Sequence, residues 1–294
     1  MPAPDSILIT GGSGMLAHAL LRALQARGKT AAALGRAALD ITDEAAVREA
    51  FRAHRPTLLL NCAAHTKVDL CEEQRELADA INGRAVGVLA RAAREHGTTL
   101  VHYSTDFVFD GSGTRPYRPD DLVRPLSAYG RSKLLGEEQL REHAADRWLI
   151  LRTAWLYGQS GPCFPRTMVT LARQGKPLKV VSDQVGCPTL TDDLAAATLE
   201  LLDAGATGIW HATNAGQTSW FDFTRAILDE FDLTTDLSPT TSAEWFKIRP
   251  HSAHRPAHSV LDVGPLEQKI GRPMPHWRDA LRRYKEQVQE SASL

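Results

Sequence analysis

Short apolar runs alternate with longer segments of helical periodicity through the first half of this 294-residue chain. The apolar runs are continuous rather than alternating, which is typical of strands buried on both faces. They predict strands at 7–9, 30–34, 58–60, 100–103 and 148–152, and the segments between them predict helices at 16–27, 44–54, 76–95 and 129–143. Strands that alternate with helices of this length favour a parallel sheet covered on both faces. The pattern therefore predicts an α/β protein with a doubly wound parallel sheet.

The alternation becomes less regular after Tyr157, where proline, tryptophan and histidine become more frequent. One further strand is predicted at 208–212 and a helix at 220–230, and a loop and a charged amphipathic helix follow over 265–290. We therefore expect a doubly wound domain over residues 1–158 and a smaller C-terminal α/β lobe over 159–294. Part of 186–216 is expected to return to the first domain.

Composition excludes several classes of function. The 34 basic and 35 acidic side chains nearly balance, so the chain lacks the positive charge of a nucleic-acid or anionic-membrane binder. No apolar run approaches the roughly 20 residues of a membrane helix, and the N-terminus does not resemble a signal peptide. The four cysteines form no Cys-x-x-Cys pair, and His251, His254 and His258 lack accompanying carboxylate or cysteine ligands, so no metal site is predicted. A cytoplasmic globular protein is expected.

A glycine-rich turn separates the first predicted strand from the first helix. Gly11, Gly14 and Ala17 have the spacing Gly-x-x-Gly-x-x-Ala. Glycines allow a pyrophosphate to approach the backbone, and the helix N-terminus adds free N–H groups and a positive dipole. The turn thus predicts a dinucleotide site of the Rossmann type, contacted also by Met15 and Leu16. The alternative is an ordinary strand–helix turn.

The end of the second predicted strand bears on which dinucleotide is bound. An acidic residue there favours NAD, whereas an arginine accommodates the 2′-phosphate of NADP. Here Arg36 follows the strand, and no carboxylate occurs before Asp40. Arg36 therefore favours NADPH, with NADH still possible, and Asp40 and Ile41 are candidate adenine contacts. A surface arginine without a ligand is the other interpretation of Arg36.

Candidate catalytic groups follow the fourth predicted strand. Ser104, Thr105 and Asp106 fall at the edge of the sheet where open parallel sheets bind ligands. Downstream, Tyr129-x-x-x-Lys133 places a phenol and an ammonium on one helix face. We expect the positive charge to lower the pKa of the phenol, so that it exchanges a proton near neutral pH. This set resembles the Ser/Thr–Tyr–Lys site of short-chain dehydrogenase/reductases.

Finer motifs resemble the dTDP-4-dehydrorhamnose reductase family, within the extended branch of those enzymes. The similarity covers nearly the whole chain and both predicted lobes. The motifs that carry it lie at 61–69, 104–111, 129–133, 152–157, 182–189, 214–220, 255–262 and 275–277.

The resemblance implies that the protein reduces the 4-keto group of dTDP-4-dehydro-L-rhamnose with NADPH, giving dTDP-L-rhamnose for cell-surface polysaccharide. It implies that Tyr129 is the general acid, that Lys133 binds the nicotinamide ribose, and that Thr105 hydrogen-bonds the carbonyl oxygen. Further cofactor contacts are expected from Ala63, Ala64, His65 and Thr66, and sugar contacts from Val68, Ser104, Asp106 and Trp155. Arg255 is a candidate for binding the diphosphate, with a surface ion pair as the alternative.

The residues also bear on three alternative functions. A sugar 4,6-dehydratase is expected to follow its threonine with Asp-Glu, whereas Phe107 follows Asp106 here. A 4-epimerase lacks support from the motif that begins at Ser104. A non-catalytic NADP-binding regulatory subunit resembles the same family and is disfavoured by the joint retention of Thr105, Tyr129 and Lys133.

The remaining expectations concern assembly and packing. Some family members form dimers through Mg²⁺-binding glutamates, and Ala19 stands at one matching position. Both the need for Mg²⁺ and the choice between monomer and homodimer therefore stay open. Trp220 and Trp277 are interpreted as packing residues of the lobe. Glu137 and Glu138 are interpreted as solvated charges on the helix of Lys133.

Overall fold

A six-stranded parallel sheet forms the centre of the computed structural model, which describes residues 6–144 and 147–292. Its strand order is β2-β1-β3-β4-β5-β10, and helices cover both faces. The predicted doubly wound α/β class is confirmed. The strands are β1 (Ile7–Thr10), β2 (Ala31–Leu34), β3 (Leu58–Asn61), β4 (Thr99–Thr105), β5 (Trp148–Thr153), β6 (Leu156–Tyr157), β7 (Leu178–Val181), β8 (Val185–Gly186), β9 (Thr189–Leu190), β10 (Gly208–His211), β11 (Thr218–Ser219) and β12 (Leu237–Thr240).

The helices begin where the sequence supplies caps and apolar faces. Asp43 accepts hydrogen bonds from the first backbone N–H groups of α2, and Ser127 accepts one from Gly130 at the start of α6. The helices are α1 (Met15–Ala26), α2 (Glu44–His54), α3 (Val68–Glu73), α4 (Arg75–Ala78), α5 (Ala85–His96), α6 (Ala128–His143), α7 (Phe164–Arg173), α8 (Thr191–Asp203), α9 (Trp220–Glu230), α10 (Ser242–Ile248), α11 (Gly264–Ile270) and α12 (Trp277–Ala292).

The helix predicted over 76–95 is not continuous. A π-helical segment, Asp79–Arg84, separates α4 from α5. This segment packs tightly against α6: a Cβ on Gly136 would lie 2.2 Å from the carbonyl oxygen of Asn82. The widened turn lets the Asn82 side chain hydrogen-bond the backbone of His65. π-Helical turns are frequent at functional sites.

The fourth strand is longer than predicted. β4 continues through Ser104 and Thr105, which pair with Arg152 and Thr153 of β5. The two hydroxyl side chains therefore end the strand instead of following it. Alternation along the strand turns them to opposite faces of the sheet.

Part of the C-terminal half rejoins the sheet. β10 pairs in parallel with β5, and α8, which precedes it, packs on α1. Ala19 is buried on the same face of the sheet. A second core joins α7, α9 and α12 and contains Trp277, which packs in the lobe. The division of domains at residue 158 stays a prediction.

No helix within 6–144 and 147–292 has the length and hydropathy needed to cross a membrane. The same residues contain no group of three or more histidine, cysteine or acidic side chains arranged to hold a metal ion.

Candidate active site

Two adjoining cavities lie at the carboxyl edge of the sheet, between β1 and β3. From β1 the chain continues to β2 on one side, and from β3 it continues to β4 on the other. The tyrosine cavity, defined by Tyr129 among its lining residues, has a volume of about 520 Å³. The arginine cavity, defined by Arg36, has a volume of about 440 Å³. They share a wall of Gly14, Cys62, Ala63 and Ala64. Such a switch point is where open α/β sheets bind their ligands.

The two cavities bring together all the site residues predicted from the sequence. Three predicted contacts line both cavities, namely Gly14, Ala63 and Ala64. The tyrosine cavity is also lined by Met15, Leu16, Thr66, Val68, Ser104, Thr105, Asp106, Tyr129, Lys133, Trp155 and Arg255. The arginine cavity is also lined by Gly11, Arg36, Asp40, Ile41 and His65.

The glycine turn is shaped by close backbone packing. Gly11 has a φ of +64°, and a Cβ there would lie 2.7 Å from the backbone nitrogen of Ala63. Gly12, which the sequence analysis did not single out, would place a Cβ 2.7 Å from the carbonyl carbon of Ala33. Gly14 precedes α1 and supplies no side-chain cap. The first N–H groups of α1 are thus available to an anion, which fits the pyrophosphate of a dinucleotide.

The arginine cavity presents an exposed cation. The Arg36 side chain is 78% exposed, and its Nε lies 3.7 Å from a carboxylate oxygen of Asp40. Hydrogen bonds donated by the side chain and backbone of Thr42 lower the pKa of Asp40, with Arg36 contributing. Lys67 lines the same cavity and was missed in the sequence. An exposed arginine in so weak a pair can turn toward a phosphate.

Thr105, Tyr129 and Lys133 meet in the tyrosine cavity. The end of β4 supplies Thr105, and two successive turns of α6 supply the other two residues. The ring of Tyr129 packs edge-on against Phe107, with 5.6 Å between the ring centres. The arrangement combines a phenol proton, a hydroxyl and an amine within one cavity.

The prediction that Lys133 lowers the pKa of Tyr129 is wrong for this structure. Burial raises the pKa of Tyr129 above its ordinary value, and a hydrogen bond with Thr105 opposes the shift. Burial also lowers the pKa of Lys133 to about 8, opposed by Glu137 and Cys62. The Nζ atom of Lys133 lies 3.1 Å from Nε2 of His102. Loss of water is the largest cause of both pKa shifts.

Asp106 brings a buried carboxyl group to the same cavity. It is 1% exposed, and its Oδ1 accepts a hydrogen bond from the Thr105 hydroxyl at 3.0 Å. Its Oδ2 is buried and meets no hydrogen-bond partner among the described residues. Burial raises the pKa of Asp106 to about 6, and the neighbouring hydroxyl groups of Ser259 and Thr105 oppose the shift. An unpartnered carboxyl oxygen at a cavity wall suits a polar group of a ligand.

Two stacked tryptophans form another wall. Trp155 and Trp220 lie 3.5 Å apart between ring centres, with 7° between their planes. Trp155 has a φ of +48°, which is strained for a bulky residue, and Gly186 leaves room for its ring. The interpretation of Trp220 as a packing residue of the lobe is incomplete, because Trp220 also lines the cavity. Its position at the start of α9 carried no such signal in the sequence.

Arg255 reaches the cavity from the C-terminal half. Its guanidinium donates a hydrogen bond to Asp69 at 2.8 Å. The side chain is 25% exposed. The ion pair that the sequence left as an alternative is therefore formed. The diphosphate contact stays a prediction.

The interpretation of Glu137 as a solvated charge is wrong. Glu137 is fully buried and accepts two hydrogen bonds from Arg152, at 2.9 and 2.7 Å. Ser104 donates a third at 2.5 Å, so the hydroxyl of this predicted sugar contact is already engaged. Glu138 is exposed, as interpreted. The signal available in the sequence was the four-residue spacing from Lys133, which places Glu137 on the inward face of α6.

The fold and the cavities define a class of protein. A doubly wound parallel sheet, a glycine turn after its first strand, and threonine, tyrosine and lysine at its carboxyl edge define an extended short-chain dehydrogenase/reductase. Enzymes of this class are dinucleotide-dependent oxidoreductases.

Comparisons with known proteins are consistent with that class and narrow it. The family described as the RmlD substrate binding domain matches residues 5–290. The chain is 45% identical to a dTDP-4-dehydrorhamnose reductase of Streptomyces griseus over 93% of this chain and 91% of that protein. It is 42% identical to the spore coat polysaccharide biosynthesis protein SpsK of Bacillus subtilis, over 98% of each. The chain belongs to the dTDP-4-dehydrorhamnose reductase family, whose members are NADPH-dependent oxidoreductases.

A solved relative supports the dinucleotide site. The structure of dTDP-4-dehydrorhamnose reductase from Bacillus anthracis in complex with NADP superposes with a TM-score of 0.91 at 32% identity. The superposition covers 97% of this chain and 99% of that one. The resemblance drawn from the sequence motifs is thus confirmed at the level of the family.

Proposed function

We propose that the protein reduces the 4-keto group of dTDP-4-dehydro-L-rhamnose to give dTDP-L-rhamnose, with NADPH as reductant. The observation that carries this proposal is the meeting of Thr105, Tyr129 and Lys133 in one cavity. That cavity shares a wall with the arginine cavity, so one extended ligand can occupy both. Membership of the family supports the choice of substrate.

The dinucleotide would lie across the shared wall. Its pyrophosphate would meet the free N–H groups at the start of α1, beyond Gly14. Arg36 would face the 2′-phosphate, and Asp40 and Ile41 the adenine. The nicotinamide end would then reach Lys133, beside Tyr129. The other residues predicted to contact the cofactor are Met15, Leu16, Ala63, Ala64, His65 and Thr66.

When bound, NADPH supplies the hydride that adds to C4 of the sugar. The sugar oxygen then needs a proton, which Tyr129 donates. A phenol whose pKa is raised by burial keeps its proton across the neutral range, so it has a proton to donate at the start of each turnover. Thr105 would turn its single hydroxyl proton from Asp106 to the same oxygen and hold that oxygen near the phenol.

The sugar would lie between the aromatic wall and the end of β4. Val68 and Trp155 line this part of the cavity. The unpartnered oxygen of Asp106 suits a sugar hydroxyl. Arg255 would exchange its bond to Asp69 for the diphosphate. Ser104 would support the sugar site indirectly, through its hydrogen bond to Glu137.

A coupled assay tests the proposal. The 4-keto sugar nucleotide is generated in place with a 3,5-epimerase, NADPH oxidation is followed, and the product is identified by NMR. We expect turnover to dTDP-L-rhamnose and a loss of about 10²–10⁴-fold in kcat for Tyr129→Phe. Near-normal turnover in that variant would refute the proton-donor assignment.

The assay also separates the competing interpretations. Binding of NADP without turnover would indicate a regulatory subunit. A different configuration at C4 of the product would indicate another nucleotide-sugar 4-reductase.

The setting of the reaction is part of the same proposal. All four cysteines are free thiols, which suits a reducing compartment such as the cytoplasm. We propose that the protein acts there without nucleic-acid or membrane partners. Monomer or homodimer, and any need for Mg²⁺, stay open as predictions.

A further inference from the structure

A chain of buried polar side chains runs beneath the tyrosine cavity. Thr10 and Asn61 end β1 and β3 and stand side by side with His102 in the middle of β4, and Lys133 of α6 lies next in line. All four are at most 2% exposed. The contacts are 2.6 Å between Thr10 and Asn61, 3.0 Å between Asn61 and His102, and 3.1 Å between His102 and Lys133.

The amide of Asn61 has a defined orientation. Its Oδ1 accepts hydrogen bonds from the Thr10 hydroxyl at 2.6 Å and from the backbone N–H of Ala63 at 3.3 Å. A backbone N–H can only donate, so the oxygen of the amide must face Ala63. The Nδ2 atom of Asn61 therefore faces Nδ1 of His102. Because an amide nitrogen can only donate, that Nδ1 carries no proton.

The remaining ring proton of His102 must then lie on Nε2. Burial holds the pKa of His102 well below its ordinary value, so the ring is neutral. Its Nε2–H points at Nζ of Lys133. An uncharged amine has a lone pair that accepts this bond, whereas an ammonium has only donors and opposes it.

We propose that His102 is a positioning residue for Lys133, held by Asn61 in its Nε2–H tautomer so that it donates to the lysine amine and favours the uncharged form. The side chains of Thr10, Asn61 and His102 thus decide the protonation of a residue that they support from below.

The other groups around Lys133 leave this control in place. Glu137, one turn further along α6, favours the ammonium, but both of its oxygens accept hydrogen bonds from Arg152. Cys62 at the end of β3 is a neutral thiol, because burial raises its pKa above the ordinary value. Tyr129 keeps its proton for the same reason. Burial itself lowers the pKa of Lys133 to about 8, in the direction that His102 reinforces.

The consequence for catalysis rests on the proposed function. A lysine that titrates near neutral pH can take up a proton when the cofactor enters and draws its Nζ away from His102. It can then return a proton toward Tyr129 after the phenol has donated its own. A lysine fixed as an ammonium could stabilise a negative charge, but it could not first take up a proton and then return one.

The tautomer can be measured in the free protein, without substrate. Long-range ¹H–¹⁵N NMR on ¹⁵N-histidine-labelled protein distinguishes Nε2–H, Nδ1–H and imidazolium rings. The His102 signals are those lost in His102→Gln, or in His102→Asn if the first variant does not fold. We expect the Nε2–H tautomer from pH 6 to 9. An Nδ1–H ring, or a ring that titrates in this range, would overturn the proposal.

Asn61→Asp provides a directed change of tautomer. A carboxylate in place of the amide accepts from Nδ1, so the proton moves there and Nε2 becomes an acceptor for the ammonium. We expect the Nδ1–H ring in this variant. An unchanged Nε2–H ring would show that Asn61 does not set the tautomer, and would contradict the mechanism. The wild-type spectrum decides the tautomer even if Asn61→Asp does not fold.

The pH dependence of NADP binding gives a second reading. Tryptophan fluorescence follows the dissociation constant from pH 6 to 10. In His102→Gln the amide oxygen can turn toward Lys133 and accept from its ammonium. We expect the pH at which binding changes to rise by about one unit.

A second buried histidine provides the matched control. His211→Gln removes a ring that is equally buried but bonds the carbonyl oxygen of Tyr117. This variant should keep the wild-type pH profile. Loss of stability in His102→Gln with an unchanged profile would reduce His102 to a packing residue. An Nε2–H ring in a protein without reductase activity would refute the proposed function and leave this inference standing.

Discussion

The carboxyl group of Asp106 is buried with one oxygen unpartnered among the described residues. Burial raises its pKa from 3.8 to about 6, so the folded protein holds this proton more tightly than the unfolded chain. The stabilisation from the protonated form is complete below about pH 4 and is lost as pH rises through 6.

Asp106→Asn should therefore stabilise the protein at pH 8, by up to about 3 kcal/mol, since each pKa unit corresponds to about 1.4 kcal/mol. The gain should shrink toward pH 5. Urea unfolding at the two pH values measures it. A gain that is equal or larger at pH 5 would contradict the assignment of this pKa shift to burial.

Arg36 tests the choice of dinucleotide. A charge-assisted bond to a phosphate contributes about 1.5–3 kcal/mol, or roughly 10–100-fold in affinity. Arg36→Ala should raise KM for NADPH by that factor and leave KM for NADH nearly unchanged. Arg48→Ala is the control, because Arg48 is similarly exposed and forms an ion pair with Glu44 on its own helix, α2. An unchanged preference for NADPH would reject the role of Arg36.

At the scale of elements, β4, β5 and α6 are joined by one buried ion pair. Glu137 on α6 binds Arg152 on β5 and Ser104 on β4. The pair keeps α6, and with it Tyr129 and Lys133, in place against the sheet. Removing the carboxylate of Glu137 leaves the buried Arg152 without its acidic partner.

Glu137→Gln should lower the free energy of unfolding by about 3–5 kcal/mol, as expected when one partner of a buried pair is removed. Glu138→Gln, one residue along, should change it by less than about 0.5 kcal/mol, because Glu138 is exposed. Chemical unfolding of both variants gives the comparison. Equal effects would indicate that the buried pair does not anchor α6.

The interruption between α4 and α5 shows what helical periodicity cannot predict. The apolar spacing over 76–95 is continuous, and nothing in it marks Asp79–Arg84 as π-helical. The segment widens where Gly83 and Gly136 let it approach α6 closely. That approach depends on a helix more than 40 residues away, so local sequence does not encode it.

At the scale of the whole molecule, α8 and α12 are joined through Asp193. This residue of α8 accepts two hydrogen bonds from Arg283 of α12, at 2.9 and 2.7 Å, and one from Asn214. Its side chain is 7% exposed. These hydrogen bonds hold α12 next to α8, which packs on α1.

Arg283→Met should destabilise the protein by about 1–3 kcal/mol, because a buried carboxylate loses a charged donor. Arg282→Met is the matched control on the same helix, where Arg282 forms an exposed ion pair with Asp279. Unfolding free energies and the rate of proteolysis within α12 measure the difference. Equal behaviour of the two variants would mean that the bond to Asp193 does not hold α12 next to α8.

The sequence by itself determined the alternation of strands and helices, the glycine turn, and the shared helix face of Tyr129 and Lys133. These features are encoded by spacing over a few residues, which apolar periodicity and backbone sterics express directly. The family motifs extended this to the candidate site, whose predicted residues all line the two cavities.

Only the tertiary structure decided which charges are buried and which groups they meet. It placed Lys133 against His102, Glu137 against Arg152, and Trp155 against Trp220. Each contact joins residues far apart in the chain, and each pKa depends on how much water the surrounding elements exclude. Spacing along the sequence predicted that a phenol and an amine share a face. The direction of the change in pKa of each group followed from the depth at which the fold buries them.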